Sequence, residues 1–336
     1  MMPLILLIPI FVSLVVTLLI LPHWIGRAKK VGLFGRDIQK INRPIVAEAG
    51  GLTIVAGFIL GVLTYVAIKT FYYNTTENVL QIFSLLSSLL IISFVGLTDD
   101  ILGWKIGLSK KLRMLLVLFA AIPLIVIKAG DSTIALPFLG VVNIGLLYTF
   151  LIIPIGVVGA TTTFNFLAGF NGLEAGQGIL LLTAFGITAY FTGSTWIALI
   201  TLCLIASTFA FLLFNFYPAK VFPGDSLTYT IGGLLAISAI LGNFEKIAVF
   251  FFIPYIIEVV LKLRGNLKKE SFGKPTKSGE LDLLYPKLYG LTHVSIWTLK
   301  KIGIKSTEKN AVYLIWIFQA IIIILGFIIF REGIFL

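Results

Sequence analysis

Long apolar runs alternate with short polar segments along the whole chain. The runs are 15 to 22 residues long, near the roughly 20 residues at which a helix crosses the hydrocarbon of a bilayer. Ten such runs are predicted as membrane-spanning helices: residues 2–22, 51–69, 80–98, 112–128, 145–163, 179–193, 195–216, 227–242, 247–263 and 310–330. The predicted fold is therefore an all-α polytopic membrane protein. No repeat with a period of about 20 to 50 residues is visible, and the pattern predicts one domain over residues 1–336, with 264–309 as its only sizeable polar insertion. Gly265, Gly273, Pro275, Gly279 and Pro286 break that insertion before an amphipathic stretch ending near Lys309. Residues 134–143 alternate loosely around Pro137 and Gly140, which suits a small hairpin and a plain loop equally.

Charge placement orients these runs. If the first runs inward, the segments on one side carry 22 of the 26 Lys and Arg residues, leaving Lys69, Lys128, Lys246 and Arg331 on the other. That asymmetry predicts both termini outside and the basic segments, with any site among them, on the cytoplasmic face. The net charge of +11 is then explained by topology and anionic headgroups, and nucleic acid is not an expected partner. Composition agrees: 58% of residues are apolar, 12% are charged and the mean hydropathy is +1.05, which a soluble core of this size does not accommodate. Met1 to Leu21 lacks a basic start and a small-residue cleavage site, and reads as a retained span. The single cysteine, Cys203, permits no internal disulfide.

The unusual polar groups cluster on the side predicted to face inward. Asp99 and Asp100 end the third run, where two carboxylates oppose the helix dipole and require a cation; Lys105, Lys110, Lys111 and Arg113 are near in sequence. A solvated helix end and a catalytic or metal role fit this pair equally. Residues 161–178 contain no Lys or Arg but four glycines, with Asn165 and Asn171 as donors and acceptors. Backbone N–H groups of such a turn can cradle an anion, and a simple turn between spans is the alternative. Asp225, in Phe222-Pro223-Gly224-Asp225, could cap the next helix. Taken with Asp99, Asp100 and Asn165, it also supplies the oxygen ligands that suit Mg²⁺. Two histidines and one cysteine exclude a thiol or imidazole metal site. Arg264, Lys268, Lys269, Lys274 and Lys277 suit lipid headgroups or a diphosphate. Glu258 lies within a span, at a cost of roughly 2.5 to 3.5 kcal/mol if unpaired, and Lys262 is its expected partner.

These segments, in this order, resemble the polyprenyl-phosphate N-acetylhexosamine-1-phosphate transferases. The stretch Leu167 to Gln177 (LAGFNGLEAGQ) is especially similar to the eukaryotic and archaeal enzymes that transfer GlcNAc-1-phosphate to dolichyl phosphate. Asn42-Arg43-Pro44 through Glu48-Ala49-Gly50-Gly51 and Lys277 to Leu281 also match, so the likeness covers nearly the whole chain. Bacterial relatives usually have Asp where Ala168 and Asn171 stand. Here Thr162 stands where the family often has Asn, and Lys268-Lys269-Glu270 where an Arg-His-Arg cluster is common.

The resemblance implies Mg²⁺ or Mn²⁺ at Asn165 and Asp225, and uridine recognition by Gly169, Asn171 and Phe222. It implies catalytic roles for Asp99, Asp100, Lys110 and Lys111, and substrate contacts from Glu48, Lys268 and Lys269. The implied substrates are UDP-GlcNAc and a polyprenyl or dolichyl phosphate within the bilayer, with UMP released. The implied location is the cell membrane of an archaeon, or the endoplasmic reticulum of a eukaryote. The assembly is left open, with a homodimer among its forms. Two alternatives stand beside this reading: the same chemistry on another UDP-hexosamine for cell-wall or surface polysaccharide, and an anion transporter. The transporter requires polar groups at the membrane midplane, whereas these lie at one face.

Overall fold

A computed structural model describes residues 3–103, 106–136 and 140–335. Helix α1 (Leu7–Lys30) is followed by a small antiparallel hairpin, β1 (Phe34–Arg36) with β2 (Ile45–Ala47), and by α2 (Gly51–Ala67) and α3 (Val79–Leu102). Two short helices, α4 (Lys110–Phe119) and α5 (Ile122–Val126), lead to the strands β3 (Thr133–Leu136) and β4 (Gly140–Asn143). Next come α6 (Ile153–Phe164), α7 (Leu173–Phe191), α8 (Thr195–Asn215), α9 (Gly224–Gly242), α10 (Glu245–Phe251) and α11 (Ile253–Arg264). A third hairpin, β5 (Gly273–Pro275) with β6 (Leu281–Leu283), precedes α12 (Leu291–Lys301) and α13 (Glu308–Ile329).

Among the described residues the chain is thus mainly helical, with three two-stranded hairpins that an all-α reading does not include. Of the hairpin and plain loop left open for residues 134–143, the hairpin is the one present, as β3 and β4 paired Thr133 to Asn143; Pro137 lies outside the described residues, as does Lys105.

Among the described residues, six helices are long and apolar enough to cross a membrane: Leu4–Lys30, Gly51–Tyr72, Val79–Leu102, Thr195–Asn215, Gly224–Gly242 and Glu308–Ile329. The other four predicted runs fall on α4 with α5, on Tyr148–Phe164, on α7, and on α10 with α11. The interruptions have a local cause. Pro123 and Pro254 each stand in the first turn of the helix that follows the break, where a missing N–H costs nothing, whereas in a helix interior proline removes a hydrogen bond and clashes with the preceding turn. Tyr148–Ile152 is a π-helical turn feeding α6.

Helix α9 is the centre of the bundle. Every residue from Ser226 to Ile240 is buried, as expected of a helix that is apolar all round. It packs against α2, α3, α6 and α7, while α1 lies at the periphery with Leu7, Phe11 and Leu19 exposed. Gly96 allows α3 to approach closely: a Cβ there would stand 2.6 Å from the carbonyl oxygen of Asp225. One close approach therefore brings the end of α3, with its two carboxylates, onto the first turn of α9.

Candidate active site

Where α3 meets α9, the acidic residues converge. Asp100 accepts the backbone N–H groups of Asp225 (2.6 Å, Oδ1) and Ser226 (3.1 Å, Oδ2). The carboxylate at the negative end of α3 is thus compensated by the positive end of α9. Asp225 does not cap that helix, as it could from sequence alone; it stands in the first turn, and Pro223 at the cap position offers no side-chain bond. Asp99 accepts from Leu108 N at 2.6 Å and from Arg113 Nη1 at 3.1 Å. The same Arg113 nitrogen donates to Asp225 Oδ2 at 2.7 Å. Asn165, just past the end of α6, donates its Nδ2 to Asp225 Oδ1 at 3.1 Å and accepts from Thr228 at 3.0 Å through Oδ1.

Asp99, Asp100, Asp225 and Asn165 therefore form one cluster, with Arg113 as its bridging cation. Arg113 comes from the first turn of α4, whose N-cap Ser109 accepts Leu112 N. Side-chain exposures of 16 to 22% for Asp99, Asp225 and Arg113 leave the cluster reachable from water. Three carboxylates against one guanidinium leave negative charge over, and every side-chain ligand on offer is oxygen. Both properties fit a hard divalent cation such as Mg²⁺.

A second group surrounds the glycine-rich turn. Gly169 has φ +112°, a conformation that side chains rarely adopt, and a Cβ there would lie 2.8 Å from the Phe272 ring. Its N–H donates to Glu174 Oε1 at 2.8 Å, that of Asn171 to Glu308 Oε1 at 2.7 Å, and that of Gly172 to Asn215 Oδ1 at 3.1 Å. The expected backbone cradle for an anion is therefore not formed here: these N–H groups are engaged by side-chain oxygens, two of them on carboxylates. Asn171 also donates its Nδ2 to Asp37 Oδ2 at 3.0 Å, and Lys40 pairs with both Asp37 and Glu308.

Asn215 links this turn to the next segment by donating to Val221 O at 2.9 Å. Phe222 N donates to Ala47 O at 2.7 Å and Gly50 N to Phe222 O at 3.0 Å, so residues 47–50 run beside 221–223. This places Glu48 and the Phe222 ring together against Gly35, where a Cβ would collide with the Glu48 carboxylate and touch the Phe222 ring. Burial pushes the Glu48 carboxyl above its ordinary range.

The lysines are more dispersed. Lys110 donates to Leu267 O at 2.9 Å, while Lys111 and Lys268 are exposed. Lys269 lies over the Tyr285 ring, 4.8 Å from its centroid. Thr162 turns back onto its own helix, donating to Val158 O. Glu258 faces Lys262 at 3.8 Å, the partner expected for it. His293 receives Tyr289 N on Nδ1 and contacts Phe272 O through Nε2, a pattern that suits the neutral ring favoured by its burial. Sequence reasoning placed Arg113 only among several nearby cations and missed Asp37, Lys40, Glu174, Asn215 and Glu308 altogether. First-turn acids such as Glu308 read as ordinary dipole partners, and Lys40 as one charge among six in its segment.

Comparison with known proteins gives this arrangement a context. Glycosyl transferase family 4 matches residues 82–243, a range containing Asp99, Asp100, Asn165, the glycine-rich turn and Asp225. A Saccharolobus solfataricus protein, provisionally named as a UDP-N-acetylglucosamine–dolichyl-phosphate N-acetylglucosaminephosphotransferase, is 38% identical over 325 residues, covering 96% of each chain. The Dictyostelium discoideum protein of the same name is 26% identical over 71% of this chain and 66% of its own. The phospho-N-acetylmuramoyl-pentapeptide-transferase of Clostridium perfringens is 30% identical over 68% of this chain and 71% of its own. With a relative this similar over nearly its full length, and with the family's match enclosing the acidic cluster, the chain belongs to glycosyl transferase family 4.

Proposed function

We propose that the protein transfers GlcNAc-1-phosphate from UDP-GlcNAc to a polyprenyl or dolichyl phosphate, giving GlcNAc-diphosphate-polyprenol and UMP. The observation that carries this reading is the 38% identity, over 96% of both chains, to a relative named for that transfer. The acidic cluster supports it. An oxygen of the lipid phosphate attacks the β-phosphorus, forming a new phosphoanhydride, and the bond to the bridging oxygen of UMP breaks.

Mg²⁺ held by Asp225 and Asn165 would neutralise diphosphate charge. Arg113 holds Asp99 and Asp225 in register and adds positive charge beside the reacting phosphates. The lipid phosphate is largely ionised at neutral pH, with a second pKa of about 6, and so requires no general base. The oxygens of Asp100 are engaged by two backbone N–H groups and those of Asp99 by Leu108 N and Arg113. That engagement favours direct transfer, with the pair as positioning groups. Gly169, Asn171, Phe222 and Glu48 hold the nucleotide, and Lys110, Lys111, Lys268 and Lys269 line the approach of phosphate groups.

In the same reading the chain crosses the membrane ten times, with the four segmented or shorter runs completing the six long spans. Both termini lie outside and the site faces the cytoplasm of an archaeal cell; Lys and Arg asymmetry supports that orientation. The deciding experiment incubates purified protein with Mg²⁺, polyprenyl phosphate and a panel of UDP-sugars. UMP release that depends on lipid phosphate and favours UDP-GlcNAc is expected. Release of UDP, or no lipid-dependent product with any UDP-sugar, would overturn the reading.

A further inference from the structure

A buried polar network outside the acidic cluster joins three distant stretches of chain through Asp37, Lys40, Asn171 and Glu308. Asp37, Asn171 and Glu308 are 3 to 4% exposed. Lys40 pairs with Asp37, lies 3.1 Å from Glu308 Oε2 and is covered by the Tyr217 ring at 4.5 Å. Asp37 is itself held, accepting Gln39 N on Oδ1 at 3.1 Å and donating its own N–H to Pro44 O at 3.0 Å.

This network fixes which way the Asn171 amide faces. Both Asp37 oxygens serve as acceptors, Oδ1 for Gln39 N and Oδ2 for Lys40, so the Asn171 amide turns its nitrogen towards Oδ2, as it does at 3.0 Å. The reverse orientation would bring two oxygens together in a buried site. The backbone N–H of Asn171 is tied to Glu308 at the same time, so the residue cannot rotate as a whole.

We propose that Asp37 is a specificity-determining positioning residue. By holding the Asn171 nitrogen, it leaves Oδ1 as the acceptor offered to a bound base. A freely flipping amide can match either pyrimidine, giving its oxygen to the N3–H of uracil or its nitrogen to the bare N3 of cytosine. An amide locked by Asp37 accepts from uracil N3–H and sets oxygen against the lone pair of cytosine N3. The inference rests on the reading above in which Asn171 contacts the nucleobase.

The test uses the full-length protein in the transferase assay, with UMP and CMP as competing inhibitors. The wild type is expected to prefer UMP. In Asp37→Asn, residue 37 can donate or accept, Asn171 can flip, and the UMP to CMP preference should fall at least about tenfold, since hydrogen-bonded sites discriminate by leaving wrong partners unpaired. The exchanged pair, Asp37→Asn with Asn171→Asp, restores a donor facing an acceptor and leaves only an acceptor for the base, so the preference should return. Equal weakening of both nucleotides in Asp37→Asn, with their ratio unchanged, would make Asp37 merely structural and overturn the proposal. Where Asp37→Asn does not fold, the exchanged pair carries the test, and loss of UMP preference in it is likewise a refutation. An unchanged ratio in Asn171→Ala would instead show that the base is not read there, removing the premise itself.

Discussion

Replacing Asp100 by Asn separates capping from chemistry. The two carboxylate oxygens receive Asp225 N at 2.6 Å and Ser226 N at 3.1 Å. An asparagine keeps one acceptor and sets an N–H group against the other donor. Losing one charge-assisted hydrogen bond costs about 1.5 to 3 kcal/mol. Losing the carboxylate at the helix N-terminus costs about 0.3 to 1 kcal/mol more. Relief from holding a charge in a half-buried position offsets part of this, leaving a net loss of about 2 kcal/mol. At the ~2–4 °C per kcal/mol typical of larger domains, the melting temperature should fall by about 4 to 8 °C. Turnover should fall as well, by about ten- to a hundredfold, because the peptide that Asp100 holds is the one bearing Asp225, and small misplacements at a reacting centre are costly. Thermal unfolding in detergent and UMP release from the same preparation measure both effects. Asp100→Ala, which removes both bonds, should melt lower still. If Asp100→Asn melts like the wild type yet loses activity a thousandfold or more, Asp100 takes part in the chemistry and the capping argument fails.

Arg113→Lys should lower kcat/KM at least about tenfold, since an ammonium on a differently shaped stem does not reproduce the bridge between Asp99 and Asp225; a wild-type value would remove Arg113 from the site. Asp225→Asn should nearly abolish turnover in a folded protein and raise the Mg²⁺ needed for what remains, whereas full activity with unaltered Mg²⁺ dependence counts against a metal at that position. Chelation of divalent ions should stop the reaction, and Mg²⁺ or Mn²⁺ should restore it; activity unaffected by chelation is the contrary result. Lys277→Cys should resist an impermeant thiol reagent in intact cells and react after permeabilisation, a clean readout because Cys203 is buried. Labelling from outside would reverse the orientation.

The acidic cluster was legible because Asp99, Asp100, Asn165 and Asp225 stand at the ends of long apolar runs, where a carboxylate or amide is conspicuous. Asp99, Asp100, Asn165 and Asp225 were grouped by residue chemistry and loop order, and the structure brings them into contact. Which carboxylate does what was not legible. Asp225 could serve as a helix cap or as a metal ligand because capping preferences are local, whereas the N–H groups at the start of α9 are met by Asp100 through tertiary contact. Arg113 entered the topology argument as one charge among 22, and a charge count carries no distance. Asp37 and Glu308 meet through Lys40 from opposite ends of the chain, and nothing in a local pattern announces such a meeting. The runs at 112–128 and 247–263 passed as single spans because hydropathy averages across Pro123 and Pro254, whereas the backbone does not.

The contact between Asp100 and the start of α9 also sets a timetable for the newborn chain. Asp99 has its guanidinium 14 residues later, so it can be paired almost as soon as α4 has been made. Asp100 waits 125 residues for the amide groups it will hold. At ~5–20 residues per second this is about 6 to 25 seconds, during which a carboxylate at the end of an inserted helix has only water or headgroups for company. A ribosome that stops before residue 224 leaves that carboxylate without its amides. Completion of the centre is therefore a late event in biogenesis, and a break in the chain between α3 and α9 yields two fragments, neither of which holds the whole site.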